Sequence, residues 1–188
     1  MSVLTYDNIA IKVKTTNTDK YVFVSKGDIS STSFIFDTFT DSQGSHTMSK
    51  YVPEKSFTAT KASFFIDKNN GTSVHFAVYD MNGKSLYCIG NSATATPTEV
   101  TLNSIDDTTI QAWKYEFPIS FNFEKDTEYI IFIGQVYVSP YNRVVYSNKK
   151  DVTYKTTDQE WKPSGRNDLD MSNVSELPNH NKIYFIIE

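Results

Sequence analysis

Residues 56–138 read as consecutive β-strands joined by hairpin turns, and this pattern narrows the fold more than any other feature of the chain. Over residues 57–66 and 73–79 apolar side chains recur at every second position. Ala62, Phe64 and Ile66 fall on one side, and Val74, Phe76 and Val78 repeat the arrangement. A period of two sends one set of side chains into a core and the other toward water. Between the runs lies Asp67-Lys-Asn-Asn-Gly71, and an Asn/Gly turn between alternating runs is a strong hairpin signal. Residues 113–123 carry an aromatic or aliphatic side chain at every odd position. The expected fold is all-β, a two-sheet antiparallel β-sandwich with less than about a tenth helix. Phe64, Phe76, Val78, Phe117, Ile131 and Ile133 are expected in one core between the sheets.

Length and composition set the class. A chain of 188 residues suits one domain spanning 1–188, with residues 1–50 as an N-terminal arm or added strands. Much of the apolar content comes from 13 Phe and 12 Tyr, which are strand formers. A formal net charge of −4 argues against a nucleic-acid partner bound through a general basic field. The single cysteine, Cys88, has no intrachain partner and is expected as a buried strand thiol. Residues 1–7 lack the basic start and apolar run of a signal peptide. No stretch approaches the roughly 20 apolar residues of a spanning helix, so membrane insertion is not expected.

Short strands are expected at 9–14, 20–25 and 33–40, followed by a polar loop at 41–47. The segment 80–83 reads as a tight turn with Gly83 at positive φ. Residues 90–96 read as a small-residue loop, 98–102 as a short strand, and 114–123 and 128–138 as two strong strands. Ile130, Ile131, Phe132 and Ile133 are apolar on both faces, which marks a strand covered on both sides. Pro118 implies an edge position, a bulge or a break. Strands at 143–147 and 152–156 precede a polar stretch, 158–181, without periodicity. Residues 182–187 close the chain as a strand that seals the sandwich.

Across residues 50–138 the order of these pieces resembles jelly-roll modules of the carbohydrate-binding kind. In such modules a strand carries a tyrosine and an aspartate into a turn, here Tyr79 and Asp80. A later hairpin has a charged turn followed by Tyr and aliphatic residues up to a Gly, here Tyr129 to Gly134. These modules recur in bacteriophage tail, baseplate and head-fibre proteins and on bacterial surface enzymes. The resemblance implies a jelly-roll-like sandwich. It also implies a non-catalytic structural or adhesion protein of a phage virion that contacts other virion proteins or itself, a trimer being compatible, and a host cell-surface glycan. The alternative is a carbohydrate-binding module or surface adhesin of a bacterium, extracellular or at the cell surface if a signal peptide has been removed. A free-standing chain without a signal peptide or catalytic motif favours the virion.

No catalytic constellation stands out, and no cofactor or metal is expected. His46, His75 and His180 are far apart, and His75, between Val74 and Phe76, is expected on the surface face of its strand. Nucleophile-elbow, phosphate-loop and metalloprotease signatures are absent. Glycoside hydrolysis needs two carboxylates across the scissile bond, for which Glu116, Glu124, Asp126 and Glu128 are the acids to consider. Solvent-face charge, which protects an edge and keeps a sheet soluble, is the favoured account of them. Asn167-Asp-Leu-Asp170 and the 67–71 turn have calcium-like composition, but lack the full loop spacing and the bidentate Glu; Asx turns explain both.

Aromatic residues in polar context are the binding candidates, because sugar C–H faces stack on Trp and Tyr while polar neighbours meet the hydroxyls. Trp161 leads, joined by Tyr137, Tyr141, Arg143, Arg166 and Asp168 if the loops converge. The segment 139–181 also holds both arginines of the chain, and Trp, Tyr and Arg are enriched at interface hot spots. The competing assignment for Trp161 is a plug at one end of the sandwich.

Overall fold

A computed structural model describes residues 10–15, 18–23, 34–38, 46–66, 73–103, 109–134, 143–156 and 167–188. The strands are β1 (Ala10–Thr15), β2 (Thr18–Phe23), β3 (Phe34–Thr38), β4 (His46–Tyr51), β5 (Phe57–Ile66), β6 (Ser73–Tyr79), β7 (Ser85–Thr94), β8 (Thr96–Asn103), β9 (Thr109–Phe123), β10 (Tyr129–Gly134), β11 (Arg143–Thr156), β12 (Val174–Ile183) and β13 (Phe185–Ile187). A 3-10 turn at Met171–Asn173 is the sole helical element among the described residues. Every strand pair is antiparallel.

β1 and β2 form a separate two-stranded sheet. The other strands form two sheets packed face to face as a β-sandwich. One runs β7-β6-β10-β4 and continues into the end of β11, where Thr153–Thr156 pair with His46–Ser49. The other runs β8-β9-β5, with β13 alongside β5 and the start of β11 meeting it at Val144 and Ile66. Strands that switch sheets make the corners of such a sandwich. β11 does so on one side. On the other, β7 passes into β8 through the single buried residue Ala95. The chain crosses between sheets at β4–β5, β5–β6, β7–β8 and β9–β10, while β6–β7 and β8–β9 are antiparallel pairs within one sheet.

The six residues expected in one core all lie in the main apolar cluster between and around these sheets. Phe76 of β6 meets Phe117 of β9 edge-on at 6.0 Å between ring centroids, and Phe123 of β9 meets Tyr129 of β10 at 5.2 Å. Such aromatic pairs add to the stabilisation from buried area. β10 is buried at all six positions, consistent with its double-sided apolar run between β6 and β4. A second cluster, including Phe65, Val100, Leu102, Val145 and Ile186, occupies the opposite face of the β8-β9-β5 sheet. Phe65 stacks there on Tyr184 at 5.1 Å.

Pro118 marks a bulge. Ala59 opposes Phe121, while Lys61 opposes Pro118, so β9 holds one residue more than β5 over that span. β8 pairs with β9 only as far as Glu116, and Pro118 therefore sits where no ladder from β8 needs its missing N–H.

Several local expectations are corrected. Residues 46 and 47 belong to β4, a central strand whose pairing with β10 and β11 compensates for its polar side chains. The 90–96 loop is strand: β7 runs to Thr94 and absorbs its extra residues in a register shift, from Val74 opposite Ala93 to Phe76 opposite Ile89. The two strands expected in 143–156 are one, because the polar middle of β11 lies where it passes between sheets. The aperiodic 158–181 stretch contains most of β12, an outer strand paired to β11 with register shifts on either side of residues 180 and 181 that erase the alternation. His75 is buried, at 3% exposure, because the outer face of the β6·β10 pair is covered as fully as the inner. Cys88 is only half-buried, as β7 is an outer strand.

Candidate functional site

Within the expected binding face, 139–181, the structure describes β11 residues 143–156 and residues 167–181, of which the loop 167–173 is docked on the β6–β7 turn. Asp80 leaves β6 and accepts the backbone N–H groups of Asn82 and Lys84 on Oδ1, at 2.8 and 2.9 Å. Gly83 has φ +81° and donates its N–H to the Asp80 carbonyl at 3.0 Å. A residue other than glycine is strained at this φ. The Gly83 carbonyl then accepts the Leu169 N–H at 2.7 Å, and Asp168 Oδ1 accepts the Ser85 N–H at 2.7 Å. Leu169 is buried and Met171 packs on the main core, so this loop covers apolar surface beside the turn.

Asp170 caps the 3-10 turn. Its Oδ1 accepts the Ser172 N–H and hydroxyl at 3.0 and 2.7 Å, and its Oδ2 accepts the Asn173 amide at 3.1 Å. The Ser172 hydroxyl bond, then its backbone bond, hold the carboxyl below its ordinary range. Both aspartates of the calcium-like segment thus accept hydrogen bonds from protein donors, Asp168 from the distant Ser85 backbone and Asp170 from Ser172 and Asn173. Among the described residues, no group of three or more His, Cys, Asp or Glu is arranged to hold a metal ion. The other calcium-like segment, 67–71, lies outside the described residues.

Of the six expected binding residues, Asp168 is exposed and occupied by Ser85 as above. Arg143 opens β11 opposite Thr38 of β3. Trp161, Tyr137, Tyr141 and Arg166 lie outside the described residues. The anchoring of the 167–170 loop escaped the sequence reading because its partners, Gly83 and Ser85, are more than eighty positions away. The glycine in 80–83 was the available signal.

The four acids considered for hydrolysis divide into two groups. Glu116 of β9 lies between lysines, with Lys114 Nζ 2.7 Å from Oε2 and Lys61 Nζ 3.4 Å from Oε1. Lys61 also reaches Glu188 at 3.1 Å. Glu124, Asp126 and Glu128 belong to the β9–β10 turn and are exposed. There the Tyr129 hydroxyl accepts the Glu124 N–H at 3.1 Å, Ser56 Oγ accepts the Lys125 N–H at 2.9 Å, and the Pro53 carbonyl accepts the Asp126 N–H at 2.9 Å. Glu128 pairs with Lys50, and this bond is the main reason the Lys50 amine is held above its ordinary range.

Partly buried aromatics line the rims of the main core. Tyr51 meets Phe123 edge-on at 5.2 Å and Phe185 at 5.9 Å, and Phe57 stacks on Phe123 at 5.4 Å. Trp113 packs partly buried against the same cluster. No family model, curated protein or solved structure matches this chain.

Proposed function

We propose that this protein is a non-catalytic structural or adhesion component of a phage virion, in a head fibre, tail or baseplate. It self-associates or joins other virion proteins and presents the 139–181 region to a host glycan. The observation that supports this reading is the structural use of the residues that carry the resemblance to carbohydrate-binding jelly-roll modules. Tyr79 ends a buried strand and Asp80 organises the turn after it. Tyr129 begins the central strand β10, and its hydroxyl ties the charged hairpin turn. Those residues build a rigid scaffold, and loops on rigid scaffolds are where binding residues concentrate. Glu116 between two lysines suits a sheet-surface ion network better than a proton donor, whose carboxyl would be pushed upward.

The test combines mass in solution with a glycan-array screen of the whole chain. A stable homo-oligomer that loses assembly or glycan binding in Trp161→Ala with Arg166→Ala, while keeping its melting temperature, is the expected result. A monomer with glycan affinity would favour the bacterial carbohydrate-binding module instead. A monomer without glycan affinity would defeat both.

A further inference from the structure

Among the described residues the second half of β9 has no strand hydrogen-bonded along the side that β8 leaves, although β7 passes close to it. β8 pairs with β9 from Thr109 to Glu116, and among the described residues no strand continues that ladder along Phe117–Phe123. This heptad, Phe-Pro-Ile-Ser-Phe-Asn-Phe, carries no charge. A neutral run rich in aromatic and β-branched residues on an open edge is a template for pairing with another chain. The outer strand β12 is blunted differently, with Glu176 and Pro178 in its sequence. In β9 three features converge on four residues. Pro118 has no N–H to offer. The bulge between Pro118 and Phe121 breaks the register. The Ser120 N–H, left out of the regular ladder by the bulge, donates to the Tyr87 hydroxyl of β7 at 3.0 Å, reaching across the open side of the sandwich.

Tyr87 is well held for this task. Its ring lies 6.1 Å from Phe76 and 5.7 Å from Phe121, so the hydroxyl is placed by packing on both sheets. We infer that Tyr87 is an edge guard: by occupying the Ser120 donor beside Pro118, it withholds the second half of β9 from strand pairing with a second copy of this chain. The guard acts apart from the 139–181 region and holds whether or not that region binds a glycan.

Tyr87→Phe removes the hydroxyl and keeps the ring. Hydrogen exchange at the Ser120 amide should then be roughly three- to tenfold faster, the range expected for one lost hydrogen bond. Sedimentation velocity across a concentration series should show mass growing beyond the wild-type species. Adding Ser120→Lys, which places a charge on the exposed edge, should reverse that growth. Pro118→Thr restores a donor at an exposed position, leaves Tyr87 untouched, and should promote the same growth even if Tyr87→Phe folds poorly. Wild-type mass in both Tyr87→Phe and Pro118→Thr at every concentration would overturn the inference. So would growth that Ser120→Lys leaves unchanged.

Discussion

Asp168 Oδ1 accepts the backbone N–H of Ser85 at 2.7 Å, joining positions 83 residues apart in the chain. The bond holds the 167–170 loop against the start of β7, and the Leu169 N–H on the Gly83 carbonyl completes the clasp. An exposed carboxylate on one backbone donor contributes modestly, so Asp168→Ala should lower stability by about 1 kcal/mol. Thermal denaturation measures this. If Asp168→Ala left the melting temperature unchanged but abolished glycan binding, the side chain would be a ligand contact and its bond to Ser85 incidental.

Gly83 is the other half of the clasp. A Cβ built there would lie 2.7 Å from the Leu169 carbonyl oxygen and 2.8 Å from Met171 Sδ, at φ +81°. The methionine can swing aside; the backbone carbonyl cannot without breaking the clasp. Gly83→Ala should therefore cost more than about 1 kcal/mol, beyond the usual gain from a less flexible unfolded chain. Exchange at the Leu169 amide should quicken at the same time. An alanine variant as stable as the parent would show that the turn relaxes freely.

Phe76 and Ile131 lie in the main cluster, Phe76 fully buried and Ile131 nearly so, on neighbouring strands. Truncating either to alanine should cost on the order of 2–5 kcal/mol, the lost transfer energy plus a cavity that a two-sheet core cannot close. Denaturant unfolding gives the value. A change below about 1 kcal/mol in both variants would mean that the sheets repack around the gap.

The legible part of this fold was the part whose side chains alternate. Phe64, Phe76, Phe117 and Ile131 reveal their facing by period, and Pro118 announces its bulge because proline lacks a donor. β4 and β12 were illegible because they are held by backbone ladders. Met48 is apolar within β4, but its neighbours Thr47, Ser49 and Lys50 give no period, and shifts of register scramble β12. His75 misled because alternation assumes one wet face, whereas both faces of the β6·β10 pair are covered. Of the binding candidates, Asp168 was found by composition, but its partner across 83 residues leaves no local trace.

Glu116 separates a structural role from a chemical one. Partial burial pushes its carboxyl up, but the bond from Lys114 and the nearby Lys61 outweigh this and leave it below its ordinary range. A depressed carboxyl stabilises the fold above its unfolded pKa, and that contribution disappears as pH falls through the folded value. Glu116→Gln should therefore lower neutral-pH stability by less than about 1 kcal/mol, the discount due to an exposed network. The difference from the parent should shrink in acid and in high salt. Calorimetric melting at several pH and salt values checks this, and a loss of several kcal/mol would place the network in a far drier setting.

Tyr51 should control part of the alkaline limit. Burial pushes its phenol up to about 12, and the Glu54 carboxylate adds to the shift. In the unfolded chain the phenol ionises near its ordinary value of about 10. Below that value both states hold the proton and Tyr51 has no effect on the pH dependence. Between the two values the folded state keeps a proton that the unfolded state releases, so stability falls as pH rises through that window. Burial raises the Tyr184 phenol as well, in the second cluster, and that contribution persists when Tyr51 is changed. Tyr51→Phe should therefore make the alkaline decline shallower without removing it, and spectrophotometric titration of the folded parent should show phenols ionising above the ordinary range, one fewer of them in Tyr51→Phe. An alkaline limb of unchanged slope in Tyr51→Phe would mean that water reaches the ring edge between Phe123 and Phe185, and that the rim is more open than the ring contacts describe.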